Sequence, residues 1–145
     1  YGMEIREPNT ENEWQQYYDL RWRVLREMCN QPVGSEKDNL EDDSYHLMAI
    51  EDDACVGVGR AHFNHADQGQ IRYMAVDADW RNKGIGLQIL QQLEIYLIRN
   101  AAGTVVLNAR TEAVGFYEKH GYEITGDGPL LYDQVAHTKM QKRLM

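Results

Sequence analysis

Arg81-Asn82-Lys83-Gly84-Ile85-Gly86 is the stretch that decides the fold of this 145-residue chain. It follows an apolar, strand-like run, 71–76, and opens an amphipathic run, 87–99. Two glycines two residues apart let the backbone approach a ligand closely, and unpaired amides at the start of a helix favour an anion. Together with the charges of Arg81 and Lys83, the stretch predicts a strand, an anion-binding turn and a helix.

Two familiar nucleotide-binding motifs do not fit this turn. The dinucleotide-binding fingerprint needs a third glycine and an acidic residue that the chain lacks, and a P-loop needs a Gly-Lys-Ser/Thr that does not follow. On spacing alone, a basic turn that precedes a helix explains the pattern as well as a ligand site does.

Two longer segments resemble the motifs of a known family. Residues 76–86 resemble motif A of the GCN5-related N-acetyltransferases, the GNAT superfamily, whose pattern is Gln/Arg-x-x-Gly-x-Gly/Ala. Residues 113–122 resemble its motif B, an aromatic-bearing helix that ends in Gly-Tyr or Gly-Phe. The two motifs occur in the family's order, and the resemblance covers nearly the whole chain. The stretches 46–49 and 137–140 also resemble the ElaA-like bacterial subgroup.

The resemblance implies a mixed α/β fold with a central, mostly antiparallel sheet that is splayed in its middle and flanked by helices. Hydrophobic periodicity and turn residues predict helices at 11–29, 84–101 and 112–120, and strands at 3–7, 46–50, 55–63, 70–76, 104–107, 122–125 and within 133–144. A turn is predicted at Gly126–Pro129. The strands on either side of the second helix are expected to pair in parallel.

Composition limits the classes of partner. The formal net charge of -8 argues against nucleic acid and anionic membranes as partners and suits a cationic amine. No apolar run could span a membrane, and no secretory signal is visible. Cys29 and Cys55 have neither metal nor redox spacing, so a cytoplasmic protein without a metal is expected.

The length suits a single domain, expected to cover 3–145. Tyr1 and Gly2, which precede Met3, look like residues left over from cloning. The sequence does not distinguish a monomer from a homodimer.

The resemblance implies acetyl-CoA as the acyl donor. Its pyrophosphate would lie on the amides from Arg81 to Gly86, and its pantetheine arm would pair with the backbone of the strand that precedes them. Asn108 occupies a position whose side chain often contacts the cofactor, and Phe116 is expected beside the cofactor or in the core. The implied cofactor-binding residues are Met74, Ala75, Val76, Arg81, Asn82, Lys83, Gly84, Ile85, Gly86, Asn108, Phe116 and Tyr117.

Tyr117 matches the motif B tyrosine that the family places near the cofactor sulfur as general acid. A phenol with a pKa of about 10 stays protonated at neutral pH, although Tyr117 could also be an ordinary packed tyrosine. The general base is open. His137 is a candidate because the last strands border the substrate side in this fold. His46 and His62 lie on predicted strands and could also reach inward. Each of the three histidines is more simply structural, and a relay through water to a carboxylate needs no histidine.

Two groups of charged residues could meet the acceptor. The acidic run 36–43 lies where the family's substrate-binding loop is found and could attract an amine, although a solvated acidic face is the simpler interpretation. Arg23, Arg60 and Arg72 could bind a carboxylate of an amino-acid acceptor.

The expected function is acetyl transfer from acetyl-CoA to a primary amine by direct attack in a ternary complex, because neither cysteine lies in a motif for a covalent acetyl-enzyme. Two alternatives remain. One is a non-catalytic acyl-CoA-binding sensor on the same fold, and the other is a binding module for a different phosphorylated ligand. The acceptor itself cannot be read from the sequence.

Overall fold

The computed structural model describes residues 3–144, so Tyr1 and Gly2, interpreted above as cloning residues, lie outside the described range together with Met145. Within this range the chain forms three α-helices and seven strands. The helices are α1 (Glu11–Leu25), α2 (Ile85–Arg99) and α3 (Val114–Lys119). The strands are β1 (Glu4–Arg6), β2 (Tyr45–Glu51), β3 (Ala54–His65), β4 (Gln68–Val76), β5 (Thr104–Arg110), β6 (Glu123–Leu131) and β7 (Val135–Arg143).

The strands form a single sheet in the order β1-β2-β3-β4-β5-β7-β6. Every neighbouring pair is antiparallel except β4 and β5, which run parallel and are joined by the crossover helix α2. A parallel pair requires a crossover of this kind, whereas the other neighbours can be joined by tight turns. The predicted mixed α/β fold with a mostly antiparallel sheet is confirmed.

Alternating residues of the sheet supply two hydrophobic cores, one under each long helix. Leu47 and Ala49 pack in the core that contains Leu93 of α2, whereas Met48 packs in the core that contains Leu20 of α1. This is the period of two expected for a strand that is buried on both faces. None of the helices within residues 3–144 is long and apolar enough to cross a membrane.

The predicted helix 11–29 is too long by one turn. The helix starts as its capping box dictates, because the Thr10 hydroxyl accepts from the Glu13 amide and the Glu13 carboxylate accepts in return. It ends at Leu25, and Glu27–Cys29 form a separate 3₁₀ turn. At the break, the Arg26 side chain donates to nearby carbonyl oxygens, which places its guanidinium under the sheet.

The turn predicted at Gly126–Pro129 is wrong, because this segment lies inside β6. The chain reverses farther on, where Tyr132 and Asp133 both adopt φ of +54°. Pro129 is tolerated because β6 is the edge strand and needs fewer ladder hydrogen bonds. The register shifts here, so that two residues of β6 lie opposite His137 as a bulge. The glycines and proline therefore form an irregular edge strand.

Candidate functional site

The site is built around a gap between the two parallel strands. β4 and β5 pair only over their first residues, 68–70 with 104–106, and then separate. A bulge marks the separation, since Tyr73 and Met74 lie opposite the single residue Gly59, and Tyr73 has φ of +59°. A bulge bends its strand and increases the local twist. The predicted splay is confirmed, and the bulge that accompanies it was not predicted.

A groove of about 580 Å³ opens at the carboxyl end of β4, between the backbone of Met74–Val76, the turn before α2, and α3. We call it the loop groove. Gly84, the N-cap of α2, has φ of +81°, and no side chain caps the helix. Asn82 is also left-handed, with φ of 64°. Successive amides in such a turn form a concave, anion-binding surface, and the amides of the first helical turn have no intrahelical partner.

Most of the predicted donor-binding residues lie together in this groove. The exceptions are Lys83, which is exposed and does not line it, and Asn108. Asn108 was expected at a strand end, but β5 continues to Arg110 and Asn108 faces the neighbouring cavity instead. The residues that do line the groove are Met74, Ala75, Val76, Arg81, Asn82, Gly84, Ile85, Gly86, Phe116 and Tyr117.

A smaller cavity of about 130 Å³ lies in the gap between the splayed strands. We call it the β4–β5 cavity. The two spaces meet at five residues that line both of them: Leu25, Met74, Arg110, Ala113 and Tyr117. The cavity's other polar lining residues are Arg26, Arg72, Tyr73, Asn108 and His137. Arg26 and Arg110 were missed by the sequence analysis, which had no signal for the direction of either side chain.

Tyr117 stands where the groove and the cavity meet. Its ring packs edge-on against Phe116 and Tyr122, at centroid distances of 5.1 Å and 5.5 Å. Its hydroxyl forms no hydrogen bond with a residue in the range 3–144, and Tyr117 is 7% exposed. Burial raises the pKa of Tyr117 above its usual value near 10, which keeps the phenol protonated at neutral pH.

His137 lines the opposite side of the cavity, on β7. Its Nδ1 lies 3.0 Å from the Pro129 carbonyl oxygen and 3.1 Å from that of Val135. Carbonyl oxygens only accept hydrogen bonds, so Nδ1 carries the proton in the neutral ring. This tautomer leaves Nε2 as the ring nitrogen that can accept a proton.

The other two histidines considered above lie outside both spaces. His46 Nδ1 is 2.8 Å from the Tyr17 hydroxyl, and its Nε2 is 2.7 Å from the Glu41 carbonyl oxygen. His62 bridges Arg60 and Asn64. Burial lowers the pKa of each histidine, so both are neutral parts of the packed interior.

The acidic run 36–43 is not a solvated face at Glu36, which is buried, or at Asp38 and Glu41. The Asp38 carboxylate binds Arg60 through both oxygens, at 2.7 Å and 3.0 Å, and the Glu41 carboxylate lies 3.0 Å from the same guanidinium. Partial burial alone would raise the pKa of Asp38, but hydrogen bonds from Arg60 and the Leu40 amide hold it well below its usual value. These carboxylates neutralise buried arginines and do not project towards an acceptor.

The three arginines named above as possible carboxylate binders lie in different parts of the structure. Arg60 is fully buried, and Arg23 pairs with Asp19 and Asp77 away from the cavity. Arg72, which is 38% exposed, lines the cavity.

This geometry can be compared with known proteins. The family model described as "Acetyltransferase (GNAT) domain" matches residues 13–144. The chain belongs to the GNAT acetyltransferase family. A member of this family is an acyltransferase that moves an acyl group from coenzyme A to an acceptor. YjcF of Bacillus subtilis (strain 168), described as an uncharacterized N-acetyltransferase, is 32% identical to this GNAT chain over 123 residues, which is 85% of this chain and 87% of YjcF.

Solved structures agree on the GNAT fold. An aminoglycoside 6'-N-acetyltransferase complexed with coenzyme A superposes with a TM-score of 0.83 at 17% identity, over 100% of this chain and 98% of that one. Escherichia coli ElaA gives a TM-score of 0.78 at 16% identity, over 98% and 99%. At this identity only the fold is shown, so membership of the ElaA-like subgroup stays a prediction.

Proposed function

We propose that this GNAT enzyme transfers the acetyl group of acetyl-CoA to a primary amine by direct attack, with donor and acceptor bound at the same time. The observation that carries the proposal is the position of Tyr117, which lines both the loop groove and the β4–β5 cavity. A donor in one space and an acceptor in the other would then meet beside a single proton donor.

The loop groove fits acetyl-CoA on three counts. Its volume lies within the roughly 300–1,000 Å³ typical of ligand sites. The uncapped α2 terminus and the left-handed residues Asn82 and Gly84 offer amides to a pyrophosphate. The backbone of Met74, Ala75 and Val76 lines this groove and has no β5 partner, so a pantetheine arm can pair with it as a strand would. Coenzyme A in the fold-related aminoglycoside acetyltransferase supports the same donor here.

Tyr117 serves as the general acid in this proposal. When the amine attacks the thioester carbonyl and the carbon–sulfur bond breaks, the phenol donates its proton to the departing sulfur. The proton is available because burial raises the pKa of Tyr117.

His137 is the candidate base. Its Nδ1 is held by two carbonyl oxygens, which leaves Nε2 to take a proton from the attacking amine, directly or through water. Asn108, which lines the same cavity, is proposed to contact the donor's acyl end.

A covalent acetyl-cysteine is disfavoured. The chain has two cysteines, both buried, and neither lines the groove or the cavity. Burial raises the pKa of Cys55 to about 12, which suppresses the reactive thiolate. Initial rates measured at several donor and acceptor concentrations should therefore give intersecting reciprocal plots. Parallel plots would indicate an acetyl-enzyme and contradict direct attack.

The donor site is tested by the melting temperature with and without acetyl-CoA, with NAD and ATP as controls. A ligand at about a hundred times its dissociation constant adds roughly 2.7 kcal/mol, which is several degrees for a domain of this size. A shift with acetyl-CoA alone, followed by amine-dependent release of free thiol, is the expected result. A shift without thiol release for any amine would favour the non-catalytic sensor, and no shift would refute the donor site.

A further inference from the structure

We propose that the acceptor carries an anionic group, a carboxylate or a phosphate, close to its reactive amine, and that Arg72 and Arg26 bind this group in the β4–β5 cavity. The inference rests on the proposed acetyltransferase function and names its substrate class.

The lining of the cavity has one sign of charge. Its charged lining residues are Arg26, Arg72 and Arg110, and no Asp or Glu of the described part of the chain is among its lining residues. The whole chain has a net charge of -8, so this concentration of arginines runs against the overall composition. A concave surface lined by one sign of charge concentrates ligands of the opposite sign.

Arg26 is the strongest single indication. It is only 4% exposed, and its side chain donates to two carbonyl oxygens, of Leu25 and Ser35. Within residues 3–144, no carboxylate lies within 4 Å of it. A buried charge is costly unless it is paired, and dipoles alone compensate it incompletely. An anion in the cavity would supply the missing counter-charge.

Arg72 shares its carboxylate partner, Asp38, with another arginine. Its Nη1 donates to Asp38 Oδ2 at 2.8 Å, but both oxygens of Asp38 already bind Arg60. One carboxylate cannot neutralise two guanidinium groups. Arg72 therefore keeps a net positive charge and further N–H donors for a ligand, in the fork geometry that suits carboxylate and phosphate.

The excess of positive charge centres on the Tyr73 ring at the bulge. Four guanidinium carbons lie within 6 Å of its centroid, those of Arg21, Arg26, Arg60 and Arg72, at 4.1 Å, 5.6 Å, 4.9 Å and 4.5 Å. The carboxylates that pair with this group are those of Asp38 and Glu41. Arg21, Arg60 and Arg72 share these two carboxylates and Arg26 pairs with neither, so the ion pairs leave guanidinium charge uncompensated.

This field also selects against other acceptors and assists the reaction. A polycation, such as an aminoglycoside, would be repelled, although fold-related enzymes act on aminoglycosides. The amine of a bound acceptor would lose its proton more easily, because nearby positive charge lowers the pKa of an ammonium.

The volume of the β4–β5 cavity, about 130 Å³, is below the roughly 300–1,000 Å³ of most ligand pockets, which suits a small acceptor or the end of a larger one.

Matched acceptors test the proposal through thiol release at saturating acetyl-CoA. The first arm compares the standard amino acids with their amides, which differ only in the carboxylate. The second arm compares phosphoethanolamine with ethanolamine, which differ only in the phosphate. Spermidine and kanamycin serve as polycationic acceptors. We expect kcat/KM to be at least about tenfold higher for the anionic member of one pair, equivalent to about 1.4 kcal/mol.

Two variants assign the preference to the cavity. Arg72→Gln should raise KM for the anionic acceptor by about tenfold or more and leave the acetyl-CoA melting shift nearly unchanged, because Asp38 keeps its two bonds to Arg60. Arg72→Lys should restore part of the affinity. Arg23→Gln removes an arginine that pairs with Asp19 away from the cavity and should match the wild type.

The outcomes separate this inference from the function on which it rests. No acetyl-CoA shift and no thiol release would refute the proposed function itself. An acetyl-CoA shift with equal or greater turnover of the neutral or polycationic acceptors would overturn the anionic acceptor alone. If no pair shows a preference for its anionic member, the anionic acceptor is also overturned, and a pair in which neither member reacts counts as showing no preference. An unchanged KM in Arg72→Gln would overturn it as well.

Discussion

Tyr117→Phe is the sharpest test of the mechanism, because it removes one oxygen atom whose contribution can be separated from folding. The hydroxyl forms no hydrogen bond within residues 3–144, so its loss breaks no internal contact. The stability of the variant should therefore lie within about 0.5 kcal/mol of the wild type. A general acid contributes typically 10²–10⁴-fold to rate, so kcat should fall by about that factor.

The neighbouring Tyr122→Phe is the matched control. Its hydroxyl donates to Glu94 Oε2 at 2.7 Å in the interior, away from the groove and the cavity. Loss of a hydrogen bond to a charged group costs about 1.5–3 kcal/mol, so this variant should unfold at lower urea concentration with an unchanged kcat. Tyr117→Phe should therefore lose turnover and keep its stability, whereas Tyr122→Phe should lose stability and keep its turnover.

Both variants are measured by urea denaturation, by the dissociation constant of acetyl-CoA and by thiol release at saturating donor and acceptor. The reasoning is refuted if Tyr117→Phe keeps more than half of the wild-type kcat. It is also refuted if that variant loses turnover only in proportion to a loss of folded protein or of bound acetyl-CoA, since Tyr117 would then be a packing residue.

Two further predictions concern stability. Asp38→Ala leaves the fully buried Arg60 without the carboxylate that binds it through two oxygens and should cost about 3–5 kcal/mol of unfolding free energy. Asp19→Ala removes a carboxylate from an exposed ion pair and should cost less than about 1 kcal/mol. Equal urea midpoints for the two variants would contradict this prediction. Burial lowers the pKa of His46 below 6.5, so the unfolded chain binds the proton first and stability should fall as pH drops through about 6.5. Urea midpoints between about pH 8 and pH 5 measure this, and the slope should decrease in His46→Asn.

The sequence predicted those parts of the fold that local rules determine. The amphipathic periodicity of α1 and α2 gave helix starts that hold in the structure to within one residue. The parallel pairing of β4 with β5 followed from the crossover helix between them. The end of α1 and the path of β6 were wrong for a common reason. Arg26 and the segment 126–129 are placed by tertiary contacts, which override local turn signals.

The sequence predicted the part of the candidate site that is formed by the backbone. It did not predict the part that depends on the directions of individual side chains. The turn 81–86 carries its own signal, because glycine spacing and basic residues determine an anion-binding shape. The bulge at Tyr73 has no such signal, since nothing in its neighbours requires a left-handed tyrosine. Without the bulge, the directions of Arg26 and Arg72 cannot be deduced, and the acidic run looks like a solvated loop.

The bulge connects the fold to the chemistry. A non-glycine residue in the left-handed region is strained and persists only where its surroundings determine it. At Tyr73 the surroundings are four guanidinium groups around one aromatic ring, a stabilising arrangement. The same contact lies where β4 bends away from β5, and Arg26 and Arg72 also line the cavity in the gap. The arginine cluster therefore lies where the gap between β4 and β5 opens and sets its charge, so the charge of the acceptor should follow from the way in which this chain opens its sheet.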